Sequence, residues 1–421
     1  MLIEKIISTV ARRKNEQYLQ FSPGASYSLP AKKNDNVPLL LYLHVPFCEE
    51  LCPYCSFHRV IFQEGLARAY FKALRKEIVM YKDHGYDFRA LYVGGGTPTV
   101  LIDELSDTIR LIRNTYNVTE ISVETNPNHL TDSNMKILKD AGVNRLSVGV
   151  QTFNDDLLKA VERYHKYGSG KEIREKLLSL KGYFDTLNVD MIFNFPTQTR
   201  QMLEEDISVL LSLQADQITY YPLMVSSATR SIMGRKLGTV DYKRGNDFYN
   251  TITEALRQEY RASTAWCFSR SNAMIDEYVV NYDEYAGLGS GSIGYLSGSI
   301  YANTFDIEDY IKRIEKGEFP ITARRDCSLK EKFLYDFLMR LFGLTLDLDT
   351  LTKKHGVSAV HYLFFETYFF LLTGGLTKQG NILTLTAKGQ YYWVIMMREF
   401  FISVNNFRDY CRSVINLPLA H

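Results

Sequence analysis

Three cysteines spaced C-x3-C-x2-C, namely Cys48, Cys52 and Cys55, are the residues of this chain best suited to chemistry. They are too close together for a disulfide framework, and thiolates at this spacing are typical of a metal or iron–sulfur site. Each soft thiolate can hold one iron of a cubane, so the fourth iron is left free to bind a small molecule. A structural zinc loop is the alternative, but zinc normally takes four ligands and no fourth cysteine is near. His44 and His58 lie outside the usual knuckle spacing, and we expect His44 to support the loop.

Composition excludes several classes of protein. The chain has 421 residues and a net charge of +1, which gives no strong field for nucleic acid or an anionic membrane. The remaining cysteines (Cys267, Cys327 and Cys411) are scattered, which indicates a reducing compartment. No stretch of about eighteen apolar residues occurs, so no transmembrane segment is expected. The prediction is a cytoplasmic protein that binds no nucleic acid.

Strands and helices alternate between residue 39 and about residue 225. The expected strands are 39–45, 90–95, 120–125, 145–151, 187–195 and 217–224, with amphipathic helical patterns between them. Such alternation implies parallel βαβ units. Six units are too few for a complete eight-stranded barrel, so the predicted fold is α/β, a partial (β/α)6 TIM-like barrel with its site at the carboxyl ends of the strands.

Four segments are expected. Residues 1–38 form a lead-in containing a helix, and residues 39–225 form the partial barrel. Residues 226–325 form an extension that completes the site. Residues 326–421 contain helices, then a hairpin with a turn at Gly380 and Asn381, then a last helix from Tyr391 to about Phe401. This order predicts a winged-helix-like domain, and we expect it to act as a lid or substrate wall because no basic recognition helix is present.

Polar or glycine residues occur at successive strand ends. Three successive glycines, 94–96, follow the second strand, where a backbone without side chains can approach a ligand closely. Glu124, Gln151 and Asp190 lie at the ends of the next three strands. Taken singly, each of these residues, and Arg163 twelve residues after Gln151, is better explained as structural, but together they predict a ring of ligand-binding groups.

The motifs LYLHVPFCEELCPYC, YVGGGTPT, SVETNP, RLSVGVQTF, NVDMIFNFPTQT and GLGSGS occur in this order along the chain. In this respect the chain resembles the oxygen-independent coproporphyrinogen III oxidase family of the radical S-adenosylmethionine (SAM) superfamily. The resemblance covers residues 38–400 and implies a 4Fe–4S cluster on Cys48, Cys52 and Cys55, with SAM on the open iron. It also implies a flavodoxin or ferredoxin as electron donor.

The same resemblance implies a set of cofactor-binding residues. For SAM these are Tyr42, Gly95, Gly96, Thr97, Glu124, Gln151, Arg163 and Asp190. Members of the family can hold a second SAM, and the matching positions here are Met224 and Ile293.

The family contains several activities, and the chain departs from two of them. Coproporphyrinogen oxidases carry another cysteine where this chain has Phe57. The heme-chaperone branch carries an HNxxY motif, and this sequence has no His-Asn pair. By elimination we favour the class C methylases, in which one SAM supplies a radical and the other a methyl group for an sp² carbon. The expected substrate is a planar aromatic, such as a quinone or a heteroaromatic compound. Oxidative decarboxylation of a porphyrinogen and heme trafficking are the alternatives.

Two further features of the second half have more than one interpretation. Cys267, in the segment TAWCFSR, is a weak catalytic candidate, because a lone cysteine beside Trp and Phe is more often buried filler. The aromatic residues Phe364, Phe365, Tyr368 and Phe369 belong either to the core or to a substrate wall, with the core favoured.

Overall fold

The computed structural model describes residues 2–19, 21, 27–32, 38–270 and 278–414. Parts of the predicted segments 1–38, 226–325 and 326–421 therefore lie outside the described residues. The strands are β1 (Leu39–Val45), β2 (Phe47–Cys48), β3 (Val60–Ile61), β4 (Ala90–Gly95), β5 (Glu120–Thr125), β6 (Arg145–Gln151), β7 (Thr186–Phe193), β8 (Gln217–Pro222), β9 (Arg261–Ala262), β10 (Cys267–Ser269), β11 (Glu284–Leu288), β12 (Ile293–Leu296), β13 (Ser299–Asn303), β14 (Ile321–Asp326), β15 (Thr345–Asp347), β16 (Leu376–Gln379) and β17 (Ile382–Leu385).

The helices alternate with the strands in the first half of the chain and predominate near its end. They are α1 (Leu2–Tyr18), α2 (Glu64–Asp83), α3 (Ile102–Thr115), α4 (Asp132–Ala141), α5 (Asp155–Ala160), α6 (Tyr164–Tyr167), α7 (Gly170–Ser179), α8 (Arg200–Leu213), α9 (Ser227–Lys236), α10 (Gly245–Leu256), α11 (Tyr278–Asn281), α12 (Ile307–Glu315), α13 (Leu329–Phe342), α14 (Leu348–His355), α15 (Ala359–Tyr362), α16 (Phe364–Leu372) and α17 (Ala387–Val414).

The largest sheet has twelve strands in the order β14-β13-β12-β11-β1-β4-β5-β6-β7-β8-β10-β9. The six strands predicted from the sequence lie side by side at its centre and pair in parallel. Helices cover these strands, because crossovers between parallel strands place helices against the sheet. In α3, for example, Leu105, Ile109 and Ile112 recur at helical spacing and are fully buried. The predicted parallel partial barrel is confirmed.

Segment 226–325 contributes strands to both edges of this sheet. Strand β11 pairs in parallel with β1, and β12–β14 continue antiparallel beyond it. On the other edge, β10 and β9 follow β8 in antiparallel order. The sheet therefore continues across the boundary predicted at residue 225, and the division into four segments stays a prediction.

The C-terminal region contains the expected helices and hairpin. Strands β16 and β17 form the hairpin, and β15 pairs with β17 as a third strand. Gly380 takes a φ of +58° in the turn, a conformation that glycine adopts readily. Among the described residues, no helix combines the length and the apolar character needed to cross a membrane.

Two expectations for this region were wrong. The last helix, α17, starts at Ala387 and continues to Val414 instead of ending near Phe401, because buried residues such as Ile402 and Phe407 extend its packed face. On α16, Phe364, Phe365 and Tyr368 are exposed instead of belonging to core or wall.

Candidate active site

The cysteine loop leaves the sheet at β1 and is held at both ends by a short parallel pair. Cys48 lies in β2 and aligns with Ile61 in β3, so the chain between them forms a closed loop. Cys52 and Cys55 lie within the loop, and the N–H of Cys55 donates to the carbonyl of Cys52 at 3.2 Å. Local pairing therefore places all three thiols on one short, constrained loop.

The donors of this loop suit an iron–sulfur cubane. All three cysteines are free thiols, and burial raises the pKa of Cys48 to about 11 although Thr97 donates to its Sγ at 3.6 Å. Metal binding must therefore displace the proton of Cys48. Within the described residues, no three His, Cys, Asp or Glu side chains are placed to share one metal ion. A cubane does not need such a group, since each thiolate holds a different iron.

The glycine turn at the end of β4, Gly95 and Gly96, lies directly against the cysteine loop. Gly95 has a φ of +121°, and its N–H donates to Oε2 of Glu124 at 3.1 Å. A Cβ added to Gly96 would lie 2.7 Å from the carbonyl oxygen of Phe47 and 3.0 Å from Sγ of Cys48. The turn therefore requires glycine here because any side chain would strike the loop.

Arg163 joins the cysteine loop to the ends of two strands. Its Nη1 donates to Sγ of Cys52 at 3.5 Å and to the hydroxyl of Tyr54 at 3.1 Å. Its Nη2 donates to Oδ1 of Asn126 at 3.2 Å, and Nδ2 of Asn126 donates to Oγ1 of Thr97 at 2.8 Å. Since Thr97 in turn donates to Cys48, one polar chain connects two of the three thiols.

The other predicted strand-end residues are held in fixed positions. Gln151 has a φ of +77° where β6 has a register irregularity opposite β7, and this geometry turns the end of the strand. Asp190 accepts from Oγ of Ser147 and from Nδ2 of Asn188, both at 2.8 Å. Its carboxylate is therefore partly satisfied by protein donors.

His44 connects Tyr42 to the end of the cysteine loop. Burial lowers the pKa of His44 to about 4, so the ring is neutral at neutral pH. Its Nε2 lies 2.9 Å from the carbonyl of His58, and its Nδ1 lies 2.9 Å from the Tyr42 hydroxyl. A carbonyl only accepts, so Nε2 carries the proton and Nδ1 accepts from Tyr42. His44 thus supports the loop, as expected.

All the predicted cofactor-binding residues and the three cysteines line a single cavity of about 360 Å³. Met224, after β8, and Ile293, at the start of β12, are part of the same lining. A cavity of this size is in the range of small-molecule sites. Part of its lining is an aromatic wall, and the residues that form this wall include Tyr221, Trp266, Tyr285, Tyr295, Tyr335 and Phe401.

Cys267 lies elsewhere, in the core. It is fully buried in β10, where it aligns with Thr219 of β8. Its neighbour Trp266 is the residue of this segment that lines the cavity. The centroid of the Trp266 ring lies 4.7 Å from that of Phe342 and 5.4 Å from that of Tyr221. This position suits the buried-filler alternative, and a catalytic role for Cys267 stays a prediction.

Sequence reasoning missed Asn126 and Arg59, and it expected a substrate wall from residues 326–421 without naming the residues that form it. The wall comes from α17, where Phe400, Val404 and Arg408 line the cavity. Their spacing of four residues places them on one helix face, which is a signal present in the sequence. Asn126 follows Glu124 in the motif SVETNP, and Arg59 closely follows Cys55, so both lie inside stretches already singled out.

The comparisons with known proteins agree with this geometry. The radical SAM superfamily matches residues 42–210. The heme chaperone HemW of Bacillus subtilis is 31% identical over 317 residues, which cover 71% of this chain and 82% of that protein. This chain is a radical SAM protein. It belongs to the coproporphyrinogen III oxidase-like family of that superfamily, whose cofactors are a 4Fe–4S cluster and SAM.

Two oxidases extend the similarity. The anaerobic coproporphyrinogen III oxidase 1 of Cereibacter sphaeroides is 29% identical over 356 residues, which cover 77% of each chain. The structure of the Escherichia coli coproporphyrinogen III oxidase HemN, a radical SAM enzyme, superposes with a TM-score of 0.72 at 21% identity. The superposition covers 92% of this chain and 93% of the Escherichia coli chain. This likeness establishes the shared radical SAM fold.

Proposed function

We propose that the protein is a radical SAM methylase that acts on a planar aromatic substrate. The observation that supports this most strongly is that two kinds of residue line one cavity. The polar part consists of the three cysteines, the glycine turn, Glu124 and Arg163, and the aromatic part includes Tyr221, Trp266, Tyr295 and Phe401. A flat apolar molecule suits such a wall, because aromatic faces stack on one another.

The polar part of the cavity is proposed to hold the cofactors. Cys48, Cys52 and Cys55 would hold the cluster, and the glycine turn, Glu124 and Asp190 would bind SAM. When bound, these cofactors supply a carbon-centred radical by reductive cleavage of the sulfonium, with electrons from a flavodoxin or ferredoxin. The residues of the chain bind and orient the reactants, and the aromatic wall excludes water from them.

Methyl transfer is the reaction favoured by the sequence, and Met224 and Ile293 are the proposed contacts of a second SAM. Two sequence observations support it over the activities of the relatives. Phe57 stands where the coproporphyrinogen oxidases have a further cysteine, and the sequence has no His-Asn pair for the HNxxY motif of the heme-chaperone branch, although that branch shares the Cys-x-Phe ending. The relatives named above act on or carry tetrapyrroles, so a tetrapyrrole is the first aromatic substrate to test.

Heme carriage is the second candidate, because HemW is a heme chaperone and 31% identical to this chain. The two functions give different observations. A methylase forms S-adenosylhomocysteine and 5′-deoxyadenosine in equal amounts during anaerobic turnover with a reductant. A carrier without turnover shows a Soret shift on heme titration and forms neither product. Release of 5′-deoxyadenosine with carbon dioxide, and without S-adenosylhomocysteine, would point to decarboxylation and overturn the proposal.

The cluster itself is tested by replacing each cysteine of the loop with serine. We expect every one of these variants to lose bound iron and sulfide after anaerobic reconstitution, because a cubane corner would lack its thiolate. Cys411→Ser is the matched control, since Cys411 lies on α17 and packs beside Phe407 and Phe305. Equal iron content in a loop variant and in this control would contradict the assignment.

A further inference from the structure

Arg59 is buried at the edge of the cysteine loop with donors left over. The residue is 3% exposed. Its Nη2 donates to the carbonyl of Cys52 at 2.7 Å and also to the carbonyl of Cys55. Its Nε and Nη1 are buried and have no hydrogen-bond partner. Leaving two donors of a charged group unsatisfied is costly, so an acceptor is expected beside them.

The groups that raise the pKa of Arg59 are the three cysteines of the loop, which are negative only as thiolates. Burial by itself would lower the pKa of Arg59, but the charges of Cys55, Cys52 and Cys48 more than offset it and raise that pKa. Arg59 also lines the cavity that these thiols line. Arg59 therefore lies beside the place where the loop would carry its cofactor.

If Arg59 only balanced the charge of the loop's own thiolates, its Nε and Nη1 would not need to remain available as donors. The fork geometry of a guanidinium offers several N–H groups in one plane, and here one nitrogen is already committed to two carbonyls. The remaining nitrogens can donate to an acceptor with more than one lone pair. Sulfide and thiolate sulfurs of an iron–sulfur cluster are acceptors of this kind.

We propose that Arg59 donates hydrogen bonds to the sulfurs of the cluster and thereby raises its reduction potential. The reduced cluster carries one more negative charge than the oxidised cluster. A cation with two nitrogen donors therefore stabilises the reduced cluster more than the oxidised one. The reducing electron comes from the donor protein or from dithionite, and no bond to Arg59 forms or breaks. This inference rests on the three cysteines being the cluster ligands, as proposed above.

The test is a redox titration of reconstituted protein, followed by the electron paramagnetic resonance signal of the reduced cluster. Arg59→Gln keeps an amide that can donate to a carbonyl but removes the charge. We expect its midpoint potential to move to more negative values by at least 59 mV, a tenfold fall in the ratio of reduced to oxidised cluster at a fixed potential. Arg59→Lys, which keeps the charge without the fork, should shift in the same direction by less.

Ser56→Ala is the matched control within the same loop. Ser56 is buried, donates to Oγ1 of Thr229 at 3.0 Å and accepts from the N–H of Ser226 at 3.2 Å. Its replacement disturbs loop packing without removing a charge, so the midpoint potential of the cluster in Ser56→Ala should match that of the wild type.

Iron analysis of each sample separates this inference from the proposed function. A wild-type protein without four irons would end the cluster assignment. A full complement of iron in Arg59→Gln together with an unchanged potential would overturn only the role of Arg59. If Arg59→Gln does not hold iron, the potential of Arg59→Lys decides, and a wild-type value there overturns the inference.

Discussion

The carboxylate of Glu124 accepts hydrogen bonds from the backbone N–H of Gly95 at 3.1 Å and from the hydroxyl of Tyr92 at 2.9 Å. A charged group on β5 thus fixes the glycine turn that follows β4. Its position near the carboxyl end of a strand places the contact in the lining of the cavity.

Replacing Glu124 with glutamine should weaken SAM binding. Glutamine loses the charge and one acceptor oxygen, and hydrogen bonds to charged groups contribute about 1.5–3 kcal/mol. We expect the Kd for SAM to rise roughly tenfold or more, measured by equilibrium dialysis of the reconstituted protein. Glu120→Gln is the control, since Glu120 begins the same strand and accepts from Tyr282 at 3.0 Å. Equal affinities in the two variants would contradict a role for Glu124 in binding.

Substitution of Gly96 by alanine should disrupt the junction between the glycine turn and the cysteine loop. The added Cβ would lie 2.7 Å from the carbonyl oxygen of Phe47, and backbone cannot move aside as a flexible side chain can. We expect lower iron content and a lower Tm. Gly65→Ala provides the comparison, because nothing lies within 4 Å of its Cβ. It should keep wild-type iron content and leave the Tm unchanged or slightly raised.

The stability of the protein should fall as the pH rises from about 4.5 to about 7, through Glu77. This carboxyl is fully buried and accepts from the N–H of Gly289 at 2.9 Å and from the hydroxyl of Tyr310 at 2.6 Å. Burial raises its pKa to about 7 despite these donors. Between pH 4.5 and about pH 7 the folded protein therefore holds a proton on Glu77 that the unfolded chain has lost. This stabilisation is complete below the pKa of Glu77 in the unfolded chain and is lost as the pH rises through its pKa in the folded protein.

Urea unfolding of the cluster-free protein at several pH values checks this dependence. Relative to Glu77→Gln, which does not titrate, the wild type should lose stability on the order of 3 kcal/mol between pH 4.5 and pH 7. A difference between the two proteins that stays constant over this range would show that Glu77 titrates as an ordinary carboxyl.

Two phenylalanines of α16, five residues apart, should respond very differently to replacement by alanine. Phe365 is 80% exposed and Phe370 is 5% exposed. We expect Phe365→Ala to change the free energy of unfolding by no more than about 0.5 kcal/mol. Phe370→Ala should lower it by about 3–5 kcal/mol. If both variants were equally destabilised, the exposed face of α16 would have to be covered in solution.

The sequence predicts the polar part of the cavity well for a physical reason. Parallel strands end at the same edge of a sheet, so Glu124, Gln151 and Asp190 converge wherever the strands align. The periodicity of the strands and the position of the cysteine loop after the first strand were sufficient to predict that these carboxylate and amide groups lie at the same end of the sheet as the cysteines. Residues close in sequence to these motifs, such as Arg59, were within reach of the same argument.

The aromatic part could not be placed in this way, because its residues come from distant segments. Trp266 reaches the cavity through a short antiparallel strand, and Phe401 reaches it from α17. Their proximity depends on how the second half folds back onto the barrel. On α16, apolar residues surround most of the helix, so its pattern does not reveal which face is buried.

Helix α17 has a consequence for incompletely synthesised or proteolysed chains. It supplies a cavity wall through Phe400, Val404 and Arg408, while every proposed cluster ligand lies before residue 56. A chain cut before Phe400 would keep all three sulfur ligands but lack that wall. We expect the cavity of such a fragment to be open to dioxygen on that side, so α17 would protect a bound cofactor from oxidation.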